Sequence, residues 1–276
     1  YTNLVRPIYD AIIVDEVQDF TNSQLFFVLK SLKKQGQFLL CGDANQIIHP
    51  NFFSWSKLKS FFYTDNNFIE DKITKILTAN YRNTPEVTEL ANRVLKFKNY
   101  YFGSVDKESH YLIKSTSEKH GTVSCLQDKT DIIKEVNIKT SKSTNYAILV
   151  LHEHHKDKAR ELFRSPLIFT VQEAKGLEYD NIIIYNFVSN EKNYTDITKG
   201  ADRSFLDADF KYARVKDKTD KSLEIYKFYI NALYVAITRS VCNVYIIESN
   251  PSHKFLRLLE INEIQEINIE ATESSR

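Results

Sequence analysis

Tyr9-Asp-Ala-Ile-Ile-Val-Asp15 and Gln37-Phe-Leu-Leu-Cys-Gly-Asp43 decide how this chain is read. Each is a short apolar run that ends in an acid. A strand of a parallel sheet has that pattern, because helices cover both faces and the polar residue falls at the sheet edge. Between the two runs, Leu25, Val28, Leu29 and Leu32 fall at helical spacing within Gln24 to Lys34. Strand, helix, strand is the signature of a parallel α/β fold.

Working outward, the same alternation continues. Lys75 to Thr78 reads as a short strand. Thr84 as N-cap and Pro85 at the first helical position start a helix that runs to about Lys98. Strands are expected at Thr122 to Leu126, Tyr146 to Leu151, Asn181 to Phe187 and Val244 to Glu248. Helices are expected at Asp131 to Lys139, His155 to Phe163 and Leu223 to Ile237. Ser189 to Lys221 is polar and without a clear period. It reads as a long loop or insertion that could serve as a DNA-facing loop, a partner site or a disordered spacer, and the spacer is the preferred reading. The expected organisation is a first block over residues 1–71, a second over 72–262 and a polar tail over 263–276. No internal repeat is visible.

The 276 residues suit about two domains. With 42% apolar and 26% charged residues, the chain is neither disordered nor fibrous. A net charge of +1 from 37 basic and 36 acidic side chains excludes a histone-like protein but leaves room for a local nucleic-acid channel. No apolar run approaches the ~20 residues of a membrane span. Cys41, Cys125 and Cys242 are too scattered for a disulfide framework or a zinc pattern, which fits a reducing, intracellular setting, cytoplasmic or nucleoid-associated. The chain starts at Tyr1 and has no Met, so it reads as an excised piece.

The chemistry sits where the strands end. In Asp15-Glu-Val-Gln-Asp19, one carboxylate suits Mg²⁺ and the next suits activation of a water against a terminal phosphate. A solvated acidic turn is the plain alternative. In Gly42-Asp-Ala-Asn-Gln46, a Gln outside the carboxyl end of a parallel strand can hydrogen-bond a terminal phosphate. A turn built from Gly, Asp and Asn is the alternative there.

These two segments resemble motifs II and III of superfamily 1 helicases of the UvrD/Rep type. Asn80-Tyr81-Arg82 resembles motif IV. Thr170-Val-Gln-Glu-Ala-Lys-Gly-Leu-Glu-Tyr179 resembles motif V, and Asn231-Ala-Leu-Tyr-Val-Ala-Ile-Thr-Arg239 resembles motif VI. All five stand in the family's order. The resemblance implies RecA-like parallel sheets with flanking helices, the first lobe incomplete, and an ATP site between two lobes. Asp15 would bind Mg²⁺ and Glu16 would be the general base. Gln46 would contact the γ-phosphate, and Arg82 and Arg239 would reach it from the second lobe. Tyr81 would stack on adenine and Glu178 would touch the ribose, with Gly176 in the same nucleotide-binding set. Taken singly, Tyr81 reads as a core aromatic and Arg82 as a surface residue; the ordered set reverses that reading. The implied partner is single-stranded DNA rather than RNA. Thr170 and Lys175 match positions near its path. His49, Phe52 and Trp55 are candidates for stacking on bases, although Phe52, Phe53 and Trp55 serve equally well as cover for a core.

The sequence also departs from the family. None of the six glycines is followed by Lys, so the phosphate loop is absent and is expected upstream in the same polypeptide. Alone, this chain is expected to hydrolyse ATP poorly. Arg82 and Lys175 are too close in sequence to hold a 2B insertion. A second reading is a non-catalytic nucleic-acid-binding or interaction module on a decayed helicase fold. Retention of Asp15, Glu16, Gln46, Arg82, Glu178 and Arg239 argues against decay. A third is the motor portion of a larger nuclease, toxin or repeat protein. Finally, His152-Glu-His-His155 misses the H-E-x-x-H spacing. It is expected as a solvated loop, with His152 and His155 on one helix face only if the helix begins early.

Overall fold

The structure, a computed structural model, describes residues 5–34, 36–49, 53–60, 74–104, 106–212 and 221–264. The α/β expectation holds: parallel sheets flanked by helices. β1 (Ile12–Val14) and β2 (Phe38–Leu40) pair in parallel, with Ile13 opposite Leu39. The connecting helix α1 (Asn22–Lys30) starts two residues before the apolar period predicts. Thr21 and Gln24 form a reciprocal capping box that satisfies the first amides there. Leu25 of α1 joins Val14, Val17, Ala44, Phe53 and Leu58 in a small core. Leu58 belongs to α2 (Trp55–Ser60).

The strand expected at 75–78 forms slightly later, as β3 (Ala79–Asn80), which pairs with β4 (Lys114–Ser115) in a second small parallel sheet. Pro85 opens α3 (Pro85–Phe102) as predicted. Thr84 occupies the N-cap position, but its hydroxyl caps no helix amide. It donates instead to the Cys242 carbonyl at 3.1 Å, tying the helix start to the main sheet.

That sheet has five parallel strands: β5 (Val123–Gln127), β6 (Tyr146–Val150), β7 (Ile168–Thr170), β8 (Tyr179–Tyr185) and β9 (Ser240–Glu248). Their spatial order is β5-β9-β8-β6-β7. Alternate residues enter two different cores, as the twofold period of a strand requires. Ala147, Leu149, Ile182, Ile184, Val244 and Ile246 pack towards α3 and α8 (Lys221–Thr238). Ile148, Val150, Ile183, Tyr185, Tyr245 and Ile247 pack against α4 (Thr130–Thr140) and α5 (Glu153–Leu162).

The expected loop over Ser189 to Lys221 is corrected up to residue 212. It contains α6 (Lys192–Ile197) and α7 (Ser204–Asp207). Tyr194, Ile197, Ala201 and Phe205 from this stretch are buried in the larger core, so it is no disordered spacer over those residues. The chain then continues through α8 and β9 to α9 (Lys254–Leu258). Phe52, the expected boundary at 71 and most of the polar tail lie outside the described residues. Among the described residues, no helix is long and apolar enough to cross a membrane.

Candidate functional site

The chain leaves β1 through Asp15 and Glu16. Glu16 has φ 51° and ψ 42°, a left-handed conformation that is uncommon for a residue with a side chain. Asp15 is exposed, and its Oδ1 accepts the Glu16 amide at 2.9 Å. Gln18 is buried beneath them. Its amide nitrogen donates to the Glu16 carboxylate, and its Oε1 accepts the Asp43 amide at 3.0 Å. One side chain therefore links the two strand ends. Gly42 makes room for it: a Cβ there would clash with Gln18 Oε1 and come within 2.9 Å of Val17 Cγ1.

After β2, Asp43 organises the second turn, in line with the turn of Gly, Asp and Asn that the sequence offered as the alternative there. Its Oδ1 accepts the Asn45 amide at 2.8 Å and the Tyr111 hydroxyl at 2.8 Å, and its Oδ2 accepts Gln46 Nε2 at 3.1 Å. Burial pushes the Tyr111 hydroxyl far above the usual tyrosine range, so it stays a donor. Gln46 is thereby held with its Oε1 free to turn towards α8, where Arg239 Nη2 lies 3.4 Å away.

Arg239 is 3% exposed. Its Nε also donates to the Val235 carbonyl at 3.3 Å. Burial, then the neighbouring Arg82 charge, lowers its pKa from the usual arginine value, while Glu16 and Glu178 oppose that shift. Two acids and two arginines thus face one space. Arg82 forms an ion pair with Glu178. Its backbone is set by Asn80, whose Oδ1 accepts the amides of Arg82 at 3.0 Å and Asn83 at 3.2 Å. Asn83 in turn donates to the carbonyls of Thr238 and Ser240, either side of Arg239. Asn80 and Asn83 are therefore the residues that bring the two arginines together. Tyr81 projects from the same turn, 81% exposed.

Lys175 follows β7 and crosses to the acidic strand end. Its Nζ lies 2.6 Å from Asp19 and 3.7 Å from Glu16. Gly176 beside it has φ 84°, and among the described residues no atom beyond its chain neighbours lies within 4 Å of where a Cβ would stand, so the turn and not crowding favours glycine. Thr170 is buried, and its hydroxyl accepts the Glu173 amide at 3.2 Å. Lys156 holds Glu173 at 2.6 Å and keeps its carboxyl below the usual range. Trp55 is half-buried and meets Phe53 edge-on at 5.1 Å, which places it against the small core. His49 is exposed.

A buried polar cluster backs this site. Lys98 Nζ donates to Asn45 Oδ1 and Asn231 Oδ1, both at 2.7 Å, and Asn231 Nδ2 donates to the Ile47 carbonyl at 2.9 Å. The turn that carries Gln46 is thus pinned to α3 and α8. A lone Lys within a helix gave no sequence signal for this.

Curated proteins similar to this chain include the following two. Human TPR and ankyrin repeat-containing protein 1 is 28% identical over 276 residues, covering 86% of this chain and 9% of that protein. A probable DNA helicase II homolog of Mycoplasma capricolum subsp. capricolum is 29% identical over 144 residues, covering 51% of this chain and 17% of that protein. The chain therefore spans under a fifth of either relative's length. No protein-family model matches. Among solved structures, a PRRSV helicase superposes with a TM-score of 0.46 at 10% identity, covering 95% of this chain and 40% of its own.

Proposed function

We propose that this chain is part of the ATP-driven motor core of a superfamily 1 DNA helicase or translocase of UvrD/Rep type, moving on single-stranded DNA. The observation that carries the reading is the approach of Arg239 to Gln46, 193 residues apart in sequence. Arg82, Glu178 and Glu16 gather around that contact. Phosphoryl transfer is catalysed by positioned charge, and this grouping supplies it. The similarity to a DNA helicase II homolog supports the same reading.

In this reading Asp15, an exposed carboxylate of the hard oxygen type, holds Mg²⁺, which neutralises phosphate charge when bound. Glu16 accepts the proton of the attacking water. Gln46 senses the γ-phosphate. Arg82 and Arg239 grip phosphate oxygens with planar forks, Tyr81 stacks on the adenine, and Glu178 meets the ribose beside Gly176. Of the residues expected along the nucleic-acid path, His49 is exposed and open to a base, whereas Thr170 is buried, Trp55 packs on the small core and Lys175 is held by Asp19 and Glu16. The β1–β2 block is the end of a first RecA-like lobe, the five-stranded block is the second, and the phosphate loop comes from an upstream part of the same polypeptide. The arginines then reach nucleotide only when the lobes close.

The test is ATP hydrolysis by the longer protein that includes the phosphate loop, with and without single-stranded DNA. Stimulation by DNA is expected. Glu16→Gln should lower turnover about 100-fold or more while sparing ATP binding, and Arg239→Ala should lose hydrolysis while keeping DNA affinity. DNA binding without any turnover in the parent would replace this reading with a non-catalytic binding module.

A further inference from the structure

The carboxyl ends of β6 and β8, neighbours in the large sheet, carry a second cluster that the nucleotide site does not use. The chain leaves β6 into His152, the N-cap of α5, so the helix begins early and takes His154 and His155 into its first turn. This corrects the expected solvated loop. The chain leaves β8 towards Glu191, the N-cap of α6. The sheet brings these two caps together.

We propose that His154, His155 and Glu191 form a binding site for a divalent transition-metal ion of the zinc class. One ligating atom from each of the three lies within 4.8 Å of the others. Ligands about 2.1 Å from a common tetrahedral ion stand roughly 3.4 Å apart, so closure asks for about an ångström of side-chain movement. The His154 and His155 rings already sit 4.1 Å apart, centre to centre. His155 Nδ1 is buried, and among the described residues it has no hydrogen-bond partner. A buried polar nitrogen left so is costly, and a metal ion is one way to satisfy it.

The surrounding shell suits a ligand set. His152 Nε2 lies 3.2 Å from Glu191 Oε1, which orients that carboxylate. His152 is itself braced by Phe228, stacked at 6.4 Å, and by Tyr229, edge-on at 6.2 Å. Two imidazoles and one carboxylate favour Zn²⁺, Ni²⁺ or Cu²⁺ over Mg²⁺ or Ca²⁺, which prefer all-oxygen sites. With three protein ligands, a fourth position stays open to water or to a ligand. The ion would clasp the start of α5 to the start of α6.

The test is titration of the 276-residue chain with Zn²⁺ by calorimetry and with Co²⁺ by visible absorption, in excess Mg²⁺. One equivalent of Zn²⁺ and a four-coordinate Co²⁺ spectrum are expected, with no competition from Mg²⁺. His155→Ala should remove both signals. His152→Ala should weaken binding about 10- to 100-fold through loss of orientation. Glu191→Gln keeps the shape of the side chain and should also weaken binding, which covers the case in which His155→Ala fails to fold. Absence of Zn²⁺ binding, or binding unchanged in Glu191→Gln and in the His154→Ala/His155→Ala double variant, would overturn the proposal. None of these readouts depends on ATP.

Discussion

In the β1–β2 sheet, Ile13 and Leu39 stand opposite each other with 74% and 56% of their surfaces open to solvent. In the five-stranded sheet, every residue of β6 is buried. Both are parallel sheets with acids or polar turns at their carboxyl ends, and both contribute to the candidate site. The acidic half, with Glu16 and Gln46, rests on a core of six buried side chains among the described residues. The arginine half rests on two cores packed against both faces of a five-stranded sheet. The difference teaches how much of each half's support lies within these residues: in the proposed reading, the rest of the first lobe would cover the open faces of Ile13 and Leu39. Gln18, Asp43 and the Lys98 cluster fix the acidic turns by hydrogen bonds where apolar packing is thin.

The sharpest way to break the comparison is to truncate equivalent apolar residues in each sheet. Ile148→Ala, fully buried in β6, should destabilise the fold by about 2–5 kcal/mol in urea unfolding. A comparable loss from Ile13→Ser would erase the distinction. Next in size is a pH effect confined to the large sheet. Burial pushes the Glu248 carboxyl up to about 7, against lowering hydrogen bonds from Ser189, Val188 and Phe187. A raised carboxyl pKa means the folded state holds the proton longer than the unfolded chain. Stability from this group is therefore fullest below its usual 4.5 and falls as pH rises to about 7. The loss is on the order of 3 kcal/mol. Unfolding at pH 5 and pH 8 reads it, and Glu248→Gln should flatten the difference. The smallest expected effect is Ile13→Ser itself, within about 0.5 kcal/mol.

The long apolar elements were legible because their periods are long enough to see. Tyr146 to Val150 and the Thr84-Pro85 helix start are examples. The stretch after Ser189 was not, because α6 and α7 have six and four residues, too few to show a helical period among their Lys and Asp neighbours. β4, of two residues, is too short to show any period. In the site, the motif order anticipated that Arg239 and Gln46 belong together. It could not anticipate Asn83, whose value lies in backbone carbonyls that no side-chain pattern advertises, nor the Tyr111 hydroxyl that meets Asp43 from 68 residues away. The histidine cluster was read against a single-segment spacing, whereas its carboxylate comes from another strand end.

Lys98 bears on how such sequences can change. Its ammonium meets amide oxygens 53 and 133 residues away, within one buried cluster. Replacing the lysine with leucine would take the ammonium from two buried amide oxygens, and replacing either asparagine would remove one of the oxygens that meet the charge. Drift at these three positions is therefore correlated: relatives should keep all three together or exchange them together for apolar residues. A collection of related chains in which Lys98, Asn45 and Asn231 vary independently would show that the joint between the two sheets tolerates more water than its burial implies.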